Sequence, residues 1–158
     1  MLKYLIWFLS IILCASCTMS ETRIFSLEVP VEKKTVPGKS DISVVILVNA
    51  PRYLSQPYIA SRNSPYQFTI SRYSKWDSPP DEIVRQAIKD TLSSSGLFKE
   101  VRTSSIVPSG FYSLTLHLKR FEQSNSGNSS FSELAFDVSL TSPDGRDIYR
   151  NSIMKKVN

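Results

Sequence analysis

Two stretches in the second half of this chain alternate apolar and polar residues with a period of two, and that alternation constrains the fold more than any other feature. Tyr112, Leu114, Leu116 and Leu118 alternate with Ser113, Thr115, His117 and Lys119, and Leu134, Phe136, Val138 and Leu140 with Ala135, Asp137, Ser139 and Thr141. Successive side chains of a strand point to opposite faces, so each stretch presents one apolar face that needs a second layer over it. The polar run Gln123 to Ser130 reads as a loop between them, and Ser142-Pro143-Asp144-Gly145 as a turn into a last strand around Ile148 to Met154. The expected arrangement is an antiparallel meander.

Upstream, Ile42 to Val48 is apolar and β-branched almost throughout, as a strand covered on both faces should be. Ile24 to Leu27 predicts a short strand and Phe98 to Val101 another. Pro30 to Ser40 reads as a tether, and Asn49 to Pro65, interrupted by Pro51, Pro57 and Pro65, as an ordered loop. Tyr66, Phe68 and Ile70 alternate with polar residues and predict a strand with one buried face, closed by Trp76. The clearest helix is expected from about Pro79 to Ser95, with Ser78 as its cap, Pro79 in the first position and Asp81 at its positive end. Val84, Ile88 and Leu92 form its apolar stripe, and Gly96 suits the left-handed position beyond it. These elements make a single α+β domain over residues 41–158, a mostly antiparallel sheet with one main amphipathic helix packed on it.

The first residues are of another kind. Lys3 precedes an apolar run, Tyr4 to Ala15, broken only by Ser10; about 20 apolar residues are needed to span a bilayer, so this run reads as an export signal. Leu13-Cys14-Ala15-Ser16-Cys17 resembles a lipobox, where bacteria attach diacylglycerol to a cysteine and cleave just before it. The expected layout is a signal peptide over 1–16 and, over 17–40, a lipidated N-terminus at Cys17 with a short strand and a tether. Cys14 stands where leucine is usual. With Cys14 in the leader and Cys17 acylated, neither of the two cysteines is left for a disulfide. Thr18, where Asp would mark inner-membrane retention, points to the periplasmic face of the outer membrane.

Chemistry is sparse. The basic excess, 19 Lys and Arg against 14 Asp and Glu, is spread without a dense run, which argues against nucleic acid as a partner. His117 is the single histidine and falls on the polar face of a strand; no metal-ligand set and no G-x-S-x-G elbow accompany it. Asp81 and Glu82 read as first-turn helix charges. No cofactor is expected.

One constellation is more specific: Pro51-Arg52-Tyr53-Leu54-Ser55-Gln56-Pro57-Tyr58-Ile59-Ala60-Ser61-Arg62, then Arg72-Tyr73-Ser74-Lys75-Trp76, then the helix. It resembles the ABC-type transport auxiliary lipoproteins, the family of the paraquat-inducible operon lipoprotein, with Leu54, Pro57, Ile59, Arg62, Arg72 and Trp76 in order and spacing. The resemblance covers Ile24 to Val101 by motif and the later strands by pattern. Ser55-Gln56 departs from the usual acidic-basic pair, and the further C-terminal helix usual in the family is missing before Asn158, as in a shortened homologue or an incomplete gene product.

The resemblance implies a non-catalytic partner of a transporter with ABC and mammalian-cell-entry subunits, moving lipid or another apolar molecule between membranes. It implies a membrane attachment through N-terminal lipid and leaves a homo-oligomer open. Tyr53, Leu54, Pro57, Tyr58, Ile59, Arg62, Arg72 and Trp76 are the candidate docking residues, since aromatic and arginine side chains are favoured at interface centres. For Tyr53, Leu54 and Trp76, packing of the loop onto the sheet is the competing reading. Two alternatives stand beside the transporter: an assembly lipoprotein for an outer-membrane β-barrel, similar to the lipopolysaccharide-assembly lipoprotein, and a lipid-anchored hydrolase using His117.

Overall fold

The computed structural model of the chain describes residues 21–30, 38, 40–126 and 129–157. The leader, Cys17 and most of the expected tether lie outside them. The described chain forms one eight-stranded sheet with one α-helix. In chain order the elements are β1 (Arg23–Phe25), β2 (Ser43–Asn49), a 3-10 turn (Arg52–Ser55), β3 (Tyr58–Ser64), β4 (Gln67–Trp76), α1 (Pro80–Ser94), β5 (Glu100–Thr103), β6 (Tyr112–Ser126), β7 (Ser129–Thr141) and β8 (Asp147–Val157).

The spine is β6. Along one edge it pairs antiparallel with β7, and β7 pairs antiparallel with β8, which is the meander that the alternation predicts. Its other edge is shared: Tyr112 to His117 run parallel to β2, while Gln123 and Ser124 run parallel to β3. A register shift between Leu118 and Arg120 separates the two halves, so one long strand serves two neighbours. Val44, Val45 and Ile46 of β2 are all buried, both faces of the strand being covered as its composition requires.

α1 lies over β2 and β5. Val84 joins Ile46, Leu54, Leu116 and Leu118 in the core, with Ile88 and Leu92 packed beside them, so the predicted stripe faces the sheet. Gly96 ends the helix at φ +68°, a conformation that costs a residue with a Cβ more than it costs glycine.

Four expectations are corrected. Ser78 is no cap: α1 starts at Pro80, Pro79 stays extended, and no side chain caps the first turn. A residue before proline is pushed out of the helical region, so of two adjacent prolines only the second can begin the helix. The Asp81 carboxylate instead accepts the amide of Glu82 at 2.8 Å. Residues 49–65 are not a loop, because Pro51, Pro57 and Pro65 flank the 3-10 turn and β3 without interrupting them.

Tyr66, Phe68 and Ile70 lie in or beside β4 as the alternation predicts, but their face is open, Tyr66 being 97% exposed. That strand sits between β3 and the three-residue β1, beyond the reach of α1, so no helix covers it, and Phe68 finds its partners in Tyr53 and Arg62. The polar run from Gln123 to Ser130 is mostly strand. Its polar side chains bond one another and β3: Asn125 Nδ2 donates to Ser61 Oγ at 3.1 Å and to Asn63 Oδ1 at 2.8 Å, and Ser130 Oγ donates to Asn125 Oδ1 at 3.0 Å.

Candidate functional site

The motif residues are held by the turn between β2 and β3 and by the end of β4. The 3-10 turn closes through the Leu54 amide on the Pro51 carbonyl at 2.9 Å, which drives Leu54 into the core at 0% exposure. Ser55 Oγ donates to Asp81 Oδ2 at 2.7 Å and ties the turn to the start of α1. The Trp76 amide donates to the Pro57 carbonyl at 2.9 Å, so the motif proline positions the motif tryptophan.

Arg62 faces Glu122 across the parallel β3–β6 pairing. Its Nε bonds one carboxylate oxygen and its Nη2 the other, at 3.1 Å, a two-pronged contact on an acid whose side chain is 0% exposed. Tyr53 Oη completes the cluster, 3.5 Å from Glu122 Oε2 and 3.2 Å from the Lys119 carbonyl. Phe68 lies against both partners: its ring centroid is 4.8 Å from that of Tyr53 and 5.4 Å from the Arg62 guanidinium carbon. The hydrogen bond to Glu122 holds the Arg62 pKa above its ordinary value, and burial, then the Glu122 charge, raises that of Tyr53. These groups are therefore fixed in their charge states, Arg62 positive and Tyr53 neutral, and form a structural clasp and not a proton-transfer pair.

A second buried acid lies beside the first, since Glu133 is the cross-strand partner of Glu122. Burial alone disfavours its charge, but hydrogen bonds from Ser124 and Arg120 and the charges of Arg120 and Lys156 outweigh burial and lower its pKa. A carboxyl depressed in the folded state stabilises the fold above the ordinary carboxylate range, and that contribution is lost as pH falls through the lowered value. Glu133→Gln is thus expected to cost about 1–3 kcal/mol near neutral pH, and the difference from the parent should shrink toward acid in urea titrations at stepped pH. A constant difference across the acid range would contradict this.

The other motif residues go elsewhere. Between the pairs Tyr58 with Lys75 and Ala60 with Ile70 the register shifts, β3 advancing two residues while β4 advances five. The extra residues form a bulge, and Arg72 and Tyr73 stand on it exposed. Tyr58 is half-buried near by. Ile59 and Trp76 line an open apolar cavity of about 480 Å³ between the β1–β3–β4 side and the far end of the meander. Trp76 meets Phe121 edge-on, centroids 5.6 Å apart and planes at 79°. The candidates thus separate into a clasp (Tyr53, Arg62), a core plug (Leu54), a cavity wall (Ile59, Trp76) and an exposed corner at Arg72 with half-buried Tyr58 beside it.

The sequence reading missed Glu122, Glu133 and Phe121. The available signal was the charge alternation of Arg120 and Glu122 inside an otherwise strand-like run, since a charge on a covered strand needs a partner. His117 is exposed opposite Asp137, whose carboxylate is bonded to Lys119 and Ser152. Among the described residues no group of three or more His, Cys, Asp or Glu could hold a metal ion, and no helix is long and apolar enough to cross a membrane.

The comparisons with known proteins agree with one another. A family described as "ABC-type transport auxiliary lipoprotein component" matches residues 25–156. The crystal structure of a Xanthomonas campestris protein superimposes with a TM-score of 0.72 at 19% identity, over 84% of this chain and 76% of that one. A second crystal structure, of an uncharacterized protein, gives 0.62 at 21% identity, over 87% and 80%. At such identities the likeness is one of fold alone. Curated protein sequences contain no match.

Proposed function

Because this chain belongs to the family of ABC-type transport auxiliary lipoprotein components, we propose that it is the non-catalytic envelope lipoprotein of a transporter with ABC and mammalian-cell-entry subunits, moving lipid or another apolar molecule between membranes. The family match, spanning β1 to β8 nearly end to end, carries the reading. The lipobox-like run ending at Cys17 supplies the attachment, and Thr18 favours the periplasmic face of the outer membrane. Several acyl chains at about 0.8 kcal/mol per buried CH₂ hold a protein at a membrane without help from its domain, which leaves the domain free to face a partner.

Docking uses the exposed corner. Tyr58, Arg72 and Tyr73 are the aromatic and arginine side chains there, backed by Trp76 and held by the rigid 3-10 turn and clasp. The reading assigns no catalytic role to His117, and the Asp137 carboxylate opposite it accepts hydrogen bonds from Lys119 and Ser152.

The test is capture of the full-length protein from its own envelope in mild detergent, beside a Cys17→Ser form. Mammalian-cell-entry or ABC subunits are expected in the eluate, with Cys17 acylated in the parent and the Cys17→Ser form failing to anchor through lipid. An outer-membrane barrel in their place would favour the assembly-lipoprotein alternative, and an unmodified Cys17 would remove the anchor.

A further inference from the structure

The cavity of about 480 Å³ is mostly apolar, and neither the clasp nor the exposed corner accounts for it. Its wall is built by register. Phe121 pairs with Leu134, and Leu134 with Lys155, so these three share one face across β6, β7 and β8. Val157 lies on the same face, and Leu27, Ile59 and Trp76 close the opposite wall.

Two observations define what such a cavity takes. Its volume sits in the lower half of the range of about 300–1,000 Å³ found for small-molecule sites, room for one long chain. The charges around the wall are unequal. Glu122 and Glu133 also line it, but their side chains are 0% and 1% exposed and already bonded to Arg62 and Arg120, so neither carboxylate is presented to the cavity. Lys156 is spent on Glu133 and on the Phe131 ring. Lys155 stands on the wall without a carboxylate partner among the described residues.

We propose that this cavity binds one long acyl chain bearing an anionic head, the chain lying against Phe121, Leu134, Ile59 and Trp76 and the head at Lys155. The choice of a membrane amphiphile over any other apolar acid rests on the transport reading; the cavity, its size and its charge do not.

The experiment uses the full chain in its own envelope. Cells are fed an alkyne-tagged fatty acid with a diazirine in its chain, irradiated, and the protein is isolated and its adducts mapped by peptide. Label is expected on the β6 and β7 peptides that carry Phe121 and Leu134. It should fall about fivefold with Lys155→Glu, the loss of about 1 kcal/mol of ion pairing, and vanish with Leu134→Arg. Lys155 lies on the exposed outer strand, so its substitution keeps the test decisive if Leu134→Arg fails to fold. The adduct mass separates the two sources, a free fatty acid or a phospholipid that has incorporated it.

Absence of label on these peptides, with labelled lipid present in the same envelope, would overturn the proposal. So would label unchanged by Lys155→Glu, or an adduct joining the Leu134 peptide to the Cys17 peptide, which would make the protein's own acyl chain the occupant. Transporter subunits recovered in the same isolation report separately on the transport reading.

Discussion

Arg62→Ala is expected to lower the unfolding free energy by about 3–5 kcal/mol, because it leaves the buried Glu122 carboxylate without its close two-pronged partner. The Glu122 side chain is 0% exposed, and its remaining partners are distant, Tyr53 Oη at 3.5 Å and Arg120 Nε at 3.9 Å. The large term is the stranded charge and not the lost attraction, which makes the prediction separable. The double variant Arg62→Met with Glu122→Leu removes both charges and should recover most of the loss, since a buried ion pair and a well-packed apolar pair are often of similar stability. Urea unfolding of the single and double variants measures the difference directly. A cost below about 1 kcal/mol for Arg62→Ala would mean that water reaches Glu122, and the clasp would then be an ordinary surface pair.

Leu54→Ala should cost a comparable amount, about 2–5 kcal/mol, the range for deleting a buried leucine into a site that cannot collapse. Leu54 is 0% exposed and fills the space between Ile46, Val84, Leu116 and Leu118. Its neighbours come from β2, α1 and β6, so the cavity left behind touches both layers of the domain. Arg52→Ala, two residues away and exposed, is the matched control and should stay within about 0.5 kcal/mol of the parent. If the two substitutions cost the same in thermal or urea unfolding, the 3-10 turn is not anchored through Leu54.

These results would also separate support from contact within the motif. The spacing of Leu54, Pro57, Ile59, Arg62, Arg72 and Trp76 is legible in the sequence, but the division of labour among them is not. Leu54 reads equally as a docking residue or as one that packs the loop onto the sheet until the 3-10 turn rotates it inward. Arg62 looks like an interface arginine until the parallel β3–β6 pairing brings Glu122 opposite, from a position 60 residues along the chain.

Local signals served well where the answer was local. The alternation of β6 and β7, the stripe of α1 and the left-handed Gly96 were all readable, because each depends on residues within a few positions. The misplaced helix start at Ser78 and Pro79 was a local error, since Pro80 already keeps Pro79 extended. The other failures came from long-range pairing. Nothing in residues 123–130 reveals that β3 will supply hydrogen-bond partners, so a polar strand end reads as a loop. Nothing in Tyr66 to Ile70 reveals that α1 stops short of β4, so an open face reads as a covered one. The single sheet, the single helix and the α+β class survived because they follow from the periods and not from the pairings.

The same geometry connects stability to function. The clasp and the core plug hold the 3-10 turn and β3, and through the Pro57 carbonyl they hold Trp76 at the end of the bulged β4. Tyr58 and Arg72 are thereby carried on a hydrogen-bonded frame, which suits the docking role proposed for them, because a preordered surface costs less to bind.

The most direct measurement places a photo-crosslinking side chain at Tyr58 or at Arg72 in the full-length protein in its own envelope, with Thr91 on the exposed side of α1 as the control position. The transport account predicts adducts from positions 58 and 72 to a mammalian-cell-entry or ABC subunit, and none to that subunit from position 91. Adducts from 58 and 72 only to an outer-membrane barrel, or the same subunit reached equally from all three positions, would contradict it.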